Sequence, residues 1–179
     1  MGKYQASGAA TSAHLRLFTT SSQAGWIQYL LLVVLCLAVT IRLWRLDGVP
    51  PGLTHDEAGH GHDAVAILEG ARPIYQTVGY GREPLYDYVL AGALALAGRS
   101  ILTLRLVAVL AGLGTLLLTF AWTRSAFGGP TALLATAMQA VSFWSLATSR
   151  QVLRSSLLPV LFTGAVVCYW RWVALGLAD

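Results

Sequence analysis

Charged side chains are scarce in this sequence of 179 residues: only 11% are charged, whereas 56% are hydrophobic. Soluble domains usually carry about 25% charged residues, and the mean hydropathy here is +0.62. Cysteine is scarce as well, because Cys36 and Cys168 are the only two, and both lie in apolar segments. They lack the paired spacing of a zinc ribbon or a disulfide framework, so we expect two buried thiols. This composition excludes a soluble or disulfide-stapled domain and indicates an integral membrane protein.

Basic residues outnumber acidic ones, twelve Lys and Arg against eight Asp and Glu, which gives a net charge of +4. The basic residues occur singly along the chain and form no cluster. Proteins that bind nucleic acid usually concentrate such residues in a patch or stripe. We therefore expect no nucleic-acid partner, and we interpret the cations as anchors that flank membrane segments.

Five apolar segments predict an all-α fold, a polytopic bundle of transmembrane helices. A helix needs about 20 apolar residues to cross a bilayer, so the shortest segment, 85–97, is too short for a perpendicular crossing. Before the first segment, residues 1–25 are rich in small and hydroxyl side chains and predict a flexible tail. Between the first and second segments, residues 44–84 form a polar loop. The apolar segments are 26–43, 85–97, 101–123, 131–148 and 156–173.

The first apolar segment, 26–43, predicts a retained transmembrane helix rather than a signal peptide. A signal-peptide core has about 7–15 apolar residues and precedes a small-residue cleavage site, but this segment is longer and passes into Arg42-Leu43-Trp44-Arg45. Trp26 and Trp44 are placed as interfacial aromatics, and Arg42 is placed to extend its charge toward the interface. The tail has basic residues and no acid, which favours a cytoplasmic amino terminus.

The polar loop is the part of the chain where we expect chemistry. Seven of the eight acidic residues lie between Asp47 and Asp87, and acids are costly inside a bilayer. Within the loop, Thr54-x-x-Glu57 matches a capping box, which predicts a helix from His55 to about Glu69. Capping explains Glu57 as well as a catalytic role does, and the helix dipole likewise explains Asp56.

The predicted loop helix has two distinct sides. Asp56, His60 and Asp63 share one face at helical spacing, while Ala64, Val65, Ile67 and Leu68 form an apolar side. This pattern predicts a short amphipathic helix that lies on the membrane surface and ends at Gly70.

A metal site in this helix has little support from spacing. Asp56 and His60 stand at i, i+4, which leaves a divalent ion open as a weak alternative. The remaining histidine pairs do not have the spacing of helical zinc ligands. We expect His55, His60 and His62 to be solvated or interfacial, with no certain cofactor.

Three arginines are further candidates for binding an anion. Arg82 precedes Pro84 at the start of an apolar segment, where a guanidinium could bind phosphate through two nitrogens. Arg150 and Arg154 would share one helical face at i, i+4. Each also has an ordinary interpretation, Arg82 as an interfacial residue and the later pair as a membrane boundary.

The order of these features resembles the amino-terminal part of the glycosyltransferase family 39 enzymes of the GT-C fold. That family includes protein O-mannosyltransferases and aminoarabinose transferases of lipid A. A first membrane segment is followed by a proline-glycine turn with Asp-Glu-Ala, then by a basic residue before Pro-Leu-Tyr. The resemblance extends from about residue 26 to the end of the chain, and is strongest at 50–63, 82–88, Arg105-Leu106, Ala126-Phe127-Gly128 and 149–154.

The resemblance implies a membrane enzyme, of the bacterial plasma membrane, that moves a sugar from a polyprenyl-phosphate carrier to an acceptor on the extracytoplasmic face. It implies that Asp56 is the general base, with Glu57 beside it. It also implies that Arg82, Arg150 and Arg154 contact the carrier phosphate. Neither the sugar nor the acceptor is specified, and membrane lipid is the other expected partner. Full-length members have many more helices, so the chain corresponds to an amino-terminal portion.

Two features depart from the family pattern, and one rival interpretation remains. Glu83 separates Arg82 from Pro84, and residues 151–153 supply no acid. If every apolar segment crosses the membrane, Arg150 lies on the side opposite Asp56. The rival is a non-catalytic polytopic protein, either a scaffold or a transporter fragment, and a metal-sensing histidine loop is a weaker one.

Overall fold

A computed structural model describes the backbone over residues 6–77 and 81–176, and the side chains over 25–77, 81–174 and 176. Within these residues the chain is all-helical, which confirms the all-α part of the predicted fold class. The same residues contain no β-strand, only an isolated bridge between Gln76 and Arg82. The α-helices are α1 (Ala6–Leu43), α2 (His55–Leu68), α3 (Leu85–Ala97), α4 (Ile101–Phe127), α5 (Gly129–Val141), α6 (Phe143–Arg150) and α7 (Leu157–Gly176), with a 3-10 turn at Arg154–Ser156.

In the part of the chain that the structure describes, three helical stretches are long and apolar enough to cross a membrane, namely Gly25–Leu43, Ile101–Phe127 and Arg154–Ala174. Their length and composition fit the predicted membrane protein. The boundaries differ from prediction in two places. Helix α1 begins at Ala6, so most of the predicted flexible tail, 1–25, is helical. The single predicted segment 131–148 is two helices, α5 and α6, which break at Ser142.

The break at Ser142 lies where a buried arginine of α1 contacts both α5 and α6. Arg42 donates to the carbonyl oxygen of Ala140 at 3.1 Å and to the hydroxyl of Ser145 at 2.9 Å, one on each side of the break. Its side chain is fully buried, so the expectation that it extends toward the interface is wrong. The two helix ends offer a carbonyl and a hydroxyl oxygen to the terminal nitrogens of the guanidinium, while its buried Nε has no hydrogen-bond partner among the described residues.

The polar loop lies at one end of the helix bundle, which we call the loop end. Arg105, near the start of α4, donates to the carbonyl of Leu46 at 2.9 Å. Helix α5 begins at the opposite end, where a Cβ on Gly129 would meet Ile27. Helices α5 and α6 then return the chain, because Arg150 donates to the carbonyl of Trp44 at the loop end.

Helix α3 begins and ends at the loop end, because it packs along α2 rather than along the bundle. One hydrophobic cluster joins α2, α3 and the first turns of α4. Since α3 does not carry the chain to the other end, Arg150 and Asp56 lie at the same end. The cluster contains Ala64, Ile67, Tyr86, Leu90, Ala91, Leu94, Leu104, Val107 and Val152.

The same cluster alters the prediction for α2. Its apolar side, including Ala64 and Ile67, is buried against α3 and α4, so these residues pack within the protein rather than lie on a membrane surface. The start and end of α2 agree with prediction, and Gly70 follows it with a positive φ of 111°. A separate expectation was wrong: Cys36 and Cys168 are both exposed on the outer faces of their helices.

Candidate active site

The loop helix α2 is capped as its sequence predicts. The Thr54 hydroxyl accepts from the Glu57 amide at 3.4 Å, and the Glu57 carboxylate accepts from the Thr54 amide at 2.9 Å. The other Glu57 oxygen accepts from the amide of Val152 at 2.9 Å and lies 4.0 Å from Arg105 Nε. Glu57 is fully buried. It thus connects the start of α2 to the segment after α6, and its catalytic role stays a prediction.

Asp56, by contrast, is exposed and borders a cavity of about 850 Å³ at the loop end. The cavity collects side chains from α2, from the stretch before α3 and from the 3-10 turn. The predicted shared face of α2 is confirmed, because all three of its polar members border this space. The lining residues are His55, Asp56, Gly59, His60, His62, Asp63, Arg82, Leu153, Arg154 and Ser155.

Arg82 lies on the cavity wall against the backbone of α2. Its bridge to Gln76 fixes its backbone with two hydrogen bonds of 3.0 Å. Its guanidinium donates to Asp63, and its Nε lies 3.9 Å from Asp87 Oδ2. A Cβ on Gly59 would stand 3.9 and 4.0 Å from its terminal nitrogens. The guanidinium therefore packs over a glycine and is held by carboxylates on two sides.

Arg154 reaches the cavity from the carboxyl-terminal part of the chain. It donates to Glu83 at 3.0 Å, and both side chains are about half exposed or more, 47% and 67%. Glu83 is the residue that departs from the family pattern by separating Arg82 from Pro84. Here it joins the two stretches that carry the cavity cations. Exposed pairs of this kind contribute only about 0–1 kcal/mol, so Arg154 can exchange its partner at little cost.

Arg150 does not border the cavity. Its guanidinium donates to four backbone carbonyls at 2.7–2.9 Å, and these cap the carboxyl-terminal end of α1 and the start of the loop. The expected helical face shared by Arg150 and Arg154 is also wrong, because α6 ends at Arg150. The chain is extended after that residue, where Glu57 binds the amide of the buried Val152. The geometry brings Arg154, and not Arg150, to Asp56.

His60 and Asp87 form a buried pair behind the cavity that was not predicted from the sequence. His60 Nδ1 lies 2.6 Å from Asp87 Oδ1, and their side chains are only 4% and 0% exposed. The His60 ring meets Tyr86 edge-on at 5.2 Å between centroids, and Gln76 donates to Asp87 Oδ2 at 3.3 Å. The expectation that His60 is solvated or interfacial is therefore wrong, because its side chain is buried within the protein. The one available signal was Asp87 itself, an acid just inside an apolar segment.

Tyr86 is buried beside the same pair of residues. Burial raises the pKa of its hydroxyl well above the ordinary value, and the nearby carboxylates of Glu57 and Asp87 act in the same direction. The hydroxyl therefore stays protonated throughout the physiological range. Asp56 differs from Tyr86 in being exposed at the cavity, where His55 and His62 are exposed as well.

A metal centre has no cluster to hold it in the part of the chain that the structure describes. No three His, Cys, Asp or Glu side chains there converge at metal-binding distances. His60, the weak candidate beside Asp56, instead directs Nδ1 to Asp87. A divalent ion at this site thus stays an untested alternative.

Comparisons with known proteins identify no relative of this chain. No protein-family model matches it, and it has no match among curated proteins or among solved structures. The resemblance to glycosyltransferase family 39 consequently depends on the motifs alone.

Proposed function

We propose that this chain is the amino-terminal part of a membrane glycosyltransferase of the family 39 type. It would move a sugar from a polyprenyl-phosphate donor to an acceptor hydroxyl in the cavity at the loop end. Asp56 is the general base. Arg82 and Arg154 bind the carrier phosphate, while Glu57 holds the start of α2 in place. A metal ion is not required by this assignment.

The observation that carries the proposal is that Asp56, Arg82 and Arg154 border one cavity although they are far apart in sequence. The resemblance implies a base and phosphate-binding cations, and a chance arrangement would have no reason to bring these three together. A volume of about 850 Å³ is within the range of about 300–1,000 Å³ that small-molecule sites usually have.

The reaction requires a group that accepts the proton of the acceptor and a group that stabilises the departing phosphate. The acceptor oxygen bonds to the anomeric carbon while its proton passes to the Asp56 carboxylate. The bond between that carbon and the phosphate oxygen breaks, and the phosphate keeps the electron pair. The departing phosphate gains negative charge, which Arg82 and Arg154 stabilise. Asp56 is exposed to the cavity, as a base that receives a substrate proton must be.

The ends of the bundle at which each helix begins and ends support one orientation of the protein in the membrane. With the amino terminus in the cytoplasm, α1 brings the polar loop to the extracytoplasmic face. Helix α3 stays at that face, α4 crosses inward, and α5 and α6 together return. This path leaves Asp56, Arg82 and Arg154 on one side, as the chemistry requires. The resemblance to family 39 is the basis on which we propose the bacterial plasma membrane as its location.

The test is sugar transfer by a full-length protein that contains this chain, supplied with a polyprenyl-phosphate sugar donor. Asp56→Asn keeps the size of the side chain and removes the base, so we expect the rate to fall by about 10²–10⁴-fold. Asp47→Asn, a loop acid that does not border the cavity, is the matched control and should retain activity. Unchanged turnover in Asp56→Asn would remove that residue from its role.

The same experiment separates the enzyme from a non-catalytic membrane scaffold. A scaffold would bind no carrier phosphate and would transfer no sugar in any variant. The enzyme instead predicts that only the first change affects turnover and that neither change unfolds the protein.

A further inference from the structure

Arg82 lies between two carboxylates that differ in their surroundings. Asp63 accepts from a terminal nitrogen, Nη2, and its side chain is 19% exposed on the cavity wall. Asp87 lies 3.9 Å from Nε on the other side, and its side chain is 0% exposed. One cation therefore faces two anions, of which one borders the cavity and the other is enclosed by protein.

Asp63 occupies the part of Arg82 that an incoming phosphate needs. A guanidinium binds phosphate best through two parallel N–H groups. The terminal nitrogens of Arg82 lie beside Gly59, which borders the cavity, whereas its Nε is buried. While the Asp63 carboxylate accepts from Nη2, phosphate must displace it. The exposed position of Asp63 on α2 allows such a displacement, because water can solvate the released carboxylate.

Asp87 cannot be displaced in the same way, because its own oxygens are fixed. Oδ1 is 2.6 Å from His60 Nδ1, and Oδ2 accepts from Gln76 at 3.3 Å. Gln76 also holds the Arg82 backbone through the two-residue bridge. Asp87 thus provides a rigid negative charge behind the guanidinium, opposite the cavity.

Resting on the proposed function, we propose that these two carboxylates affect phosphate binding in opposite directions. Asp63 competes with the carrier phosphate for Arg82. Asp87, anchored by His60, is a positioning residue that keeps the guanidinium directed to the cavity. When Asp87 loses its charge, the flexible arginine side chain is held by Asp63 alone, and its nitrogens turn away from the phosphate.

Neutralising Asp63 and neutralising Asp87 should change the affinity for phosphate in opposite directions. This result would distinguish the arrangement from two simpler ones. If both acids acted only by repelling the phosphate charge, neutralising either would strengthen binding. If both acted only by supporting the fold, neutralising either would weaken it. Asp63→Asn and Asp87→Asn make the same chemical change at the same arginine, so each is the matched control for the other.

The experiment is titration calorimetry of the purified chain in detergent with farnesyl phosphate, a short polyprenyl phosphate. Farnesol and inorganic phosphate, titrated separately, report the contributions of the tail and of the phosphate. We expect Asp63→Asn to bind farnesyl phosphate about three- to tenfold more tightly and Asp87→Asn to bind it more weakly by a similar factor. Farnesol affinity should not change in either variant, and a loss of folding would change it.

A second variant protects the test if Asp87→Asn fails to fold. His60→Gln retains the Asp87 charge but removes the imidazole anchor, so it should weaken binding in the same direction by a smaller factor. The inference would be overturned if Asp63→Asn changed the affinity for farnesyl phosphate in the same direction as Asp87→Asn. The same direction for Asp63→Asn and His60→Gln would also overturn it. The proposed function would fail separately, if the wild-type chain bound farnesyl phosphate no better than farnesol or if Arg82→Gln bound it as wild type does.

Discussion

Five of the arginines at the loop end form two groups that differ in what they bind. Arg42, Arg105 and Arg150, which we call the anchoring arginines, donate mainly to backbone carbonyls from α1, α5 and the loop. Arg82 and Arg154, the cavity arginines, donate to the carboxylates of Asp63 and Glu83. Carbonyls at helix ends and in turns have no other partner, whereas a carboxylate on a cavity wall can be solvated. The first group therefore stabilises the fold, and the second is able to exchange partners.

The comparison also explains how the helix bundle accommodates the two fully buried cations, Arg42 and Arg105, and the half-buried Arg150. The carboxyl-terminal end of a helix carries a partial negative charge and unpaired carbonyls. Arg150 binds four carbonyls around the end of α1, and Arg42 binds one in the last turn of α5. Arg105 adds the loop carbonyls of Leu46, Pro50 and Gly52. These contacts order the loop that carries Asp56.

The largest effect is expected from Arg105→Met. Arg105 is fully buried, and its loss leaves three loop carbonyls unpaired and the Glu57 carboxylate without its nearby cation. We expect the free energy of unfolding, measured by denaturant titration in mixed micelles, to fall by about 3–5 kcal/mol. Arg105→Lys keeps the charge but loses the planar fork, so it should recover only part. A loss below about 1 kcal/mol would contradict the anchoring role.

The next effect is a crossed pair, Arg150→Gln and Arg82→Gln. Arg150→Gln should lower the free energy of unfolding by about 2 kcal/mol, since hydrogen bonds from a charged donor contribute about 1.5–3 kcal/mol. It should leave the affinity for farnesyl phosphate nearly unchanged. Arg82→Gln should abolish that affinity and cost less stability. The two groups of arginines would not be distinct if both substitutions changed both quantities equally.

A smaller effect is expected where Arg42 lies close to α4. A Cβ on Gly112 would stand 2.6 Å from the Ser149 Cβ and 3.6 Å from Arg42 Nε. Gly112→Ala should lower the free energy of unfolding by about 1 kcal/mol, the lower end of the usual cost of overpacking, as measured by thermal unfolding. Gly92→Ala is the control, because nothing lies within 4 Å of its Cβ position, and it should be neutral or slightly stabilising. Equal stabilities would show that the close approach is unimportant.

The smallest change in stability is expected for Arg154→Gln. Its contact with Glu83 is exposed on both sides, so the free energy of unfolding should change by less than about 1 kcal/mol. The affinity for farnesyl phosphate should nevertheless fall about tenfold, because a charged hydrogen bond to phosphate is lost. A variant with full affinity would place Arg154 outside the phosphate site.

Local patterns in the sequence predicted local structure well. The capping box of Thr54 and Glu57 gave the start of α2, and Gly70 gave its end. The face shared by Asp56, His60 and Asp63 depends only on helical periodicity, and the structure confirms it. The bounds of α3 agree as well, because Pro84 and Gly98 interrupt an otherwise apolar stretch.

Partners that are distant in sequence could not be predicted. His60 meets Asp87 at a separation of 27 residues, Arg154 meets Glu83 at 71, and Arg150 meets Ile41 at 109. Nothing in the sequence marks which arginine binds a carbonyl and which binds a carboxylate, because that depends on packing. The predicted helical face shared by Arg150 and Arg154 was wrong for this reason: α6 ends at Arg150, and the backbone that follows donates to Glu57.

The central claim, that the cavity joins the stretch before α3 to the turn after α6, has a direct test. After Cys36 and Cys168 are replaced by Ser, the pair Glu83→Cys and Arg154→Cys should form a disulfide or a short bismaleimide cross-link in native membranes. Glu83→Cys with Arg124→Cys, in the last turn of α4 at the other end of the bundle, should not. Efficient cross-linking of the first pair alone is the predicted result. Its absence, in protein that is folded and inserted, would contradict the assembly of the site.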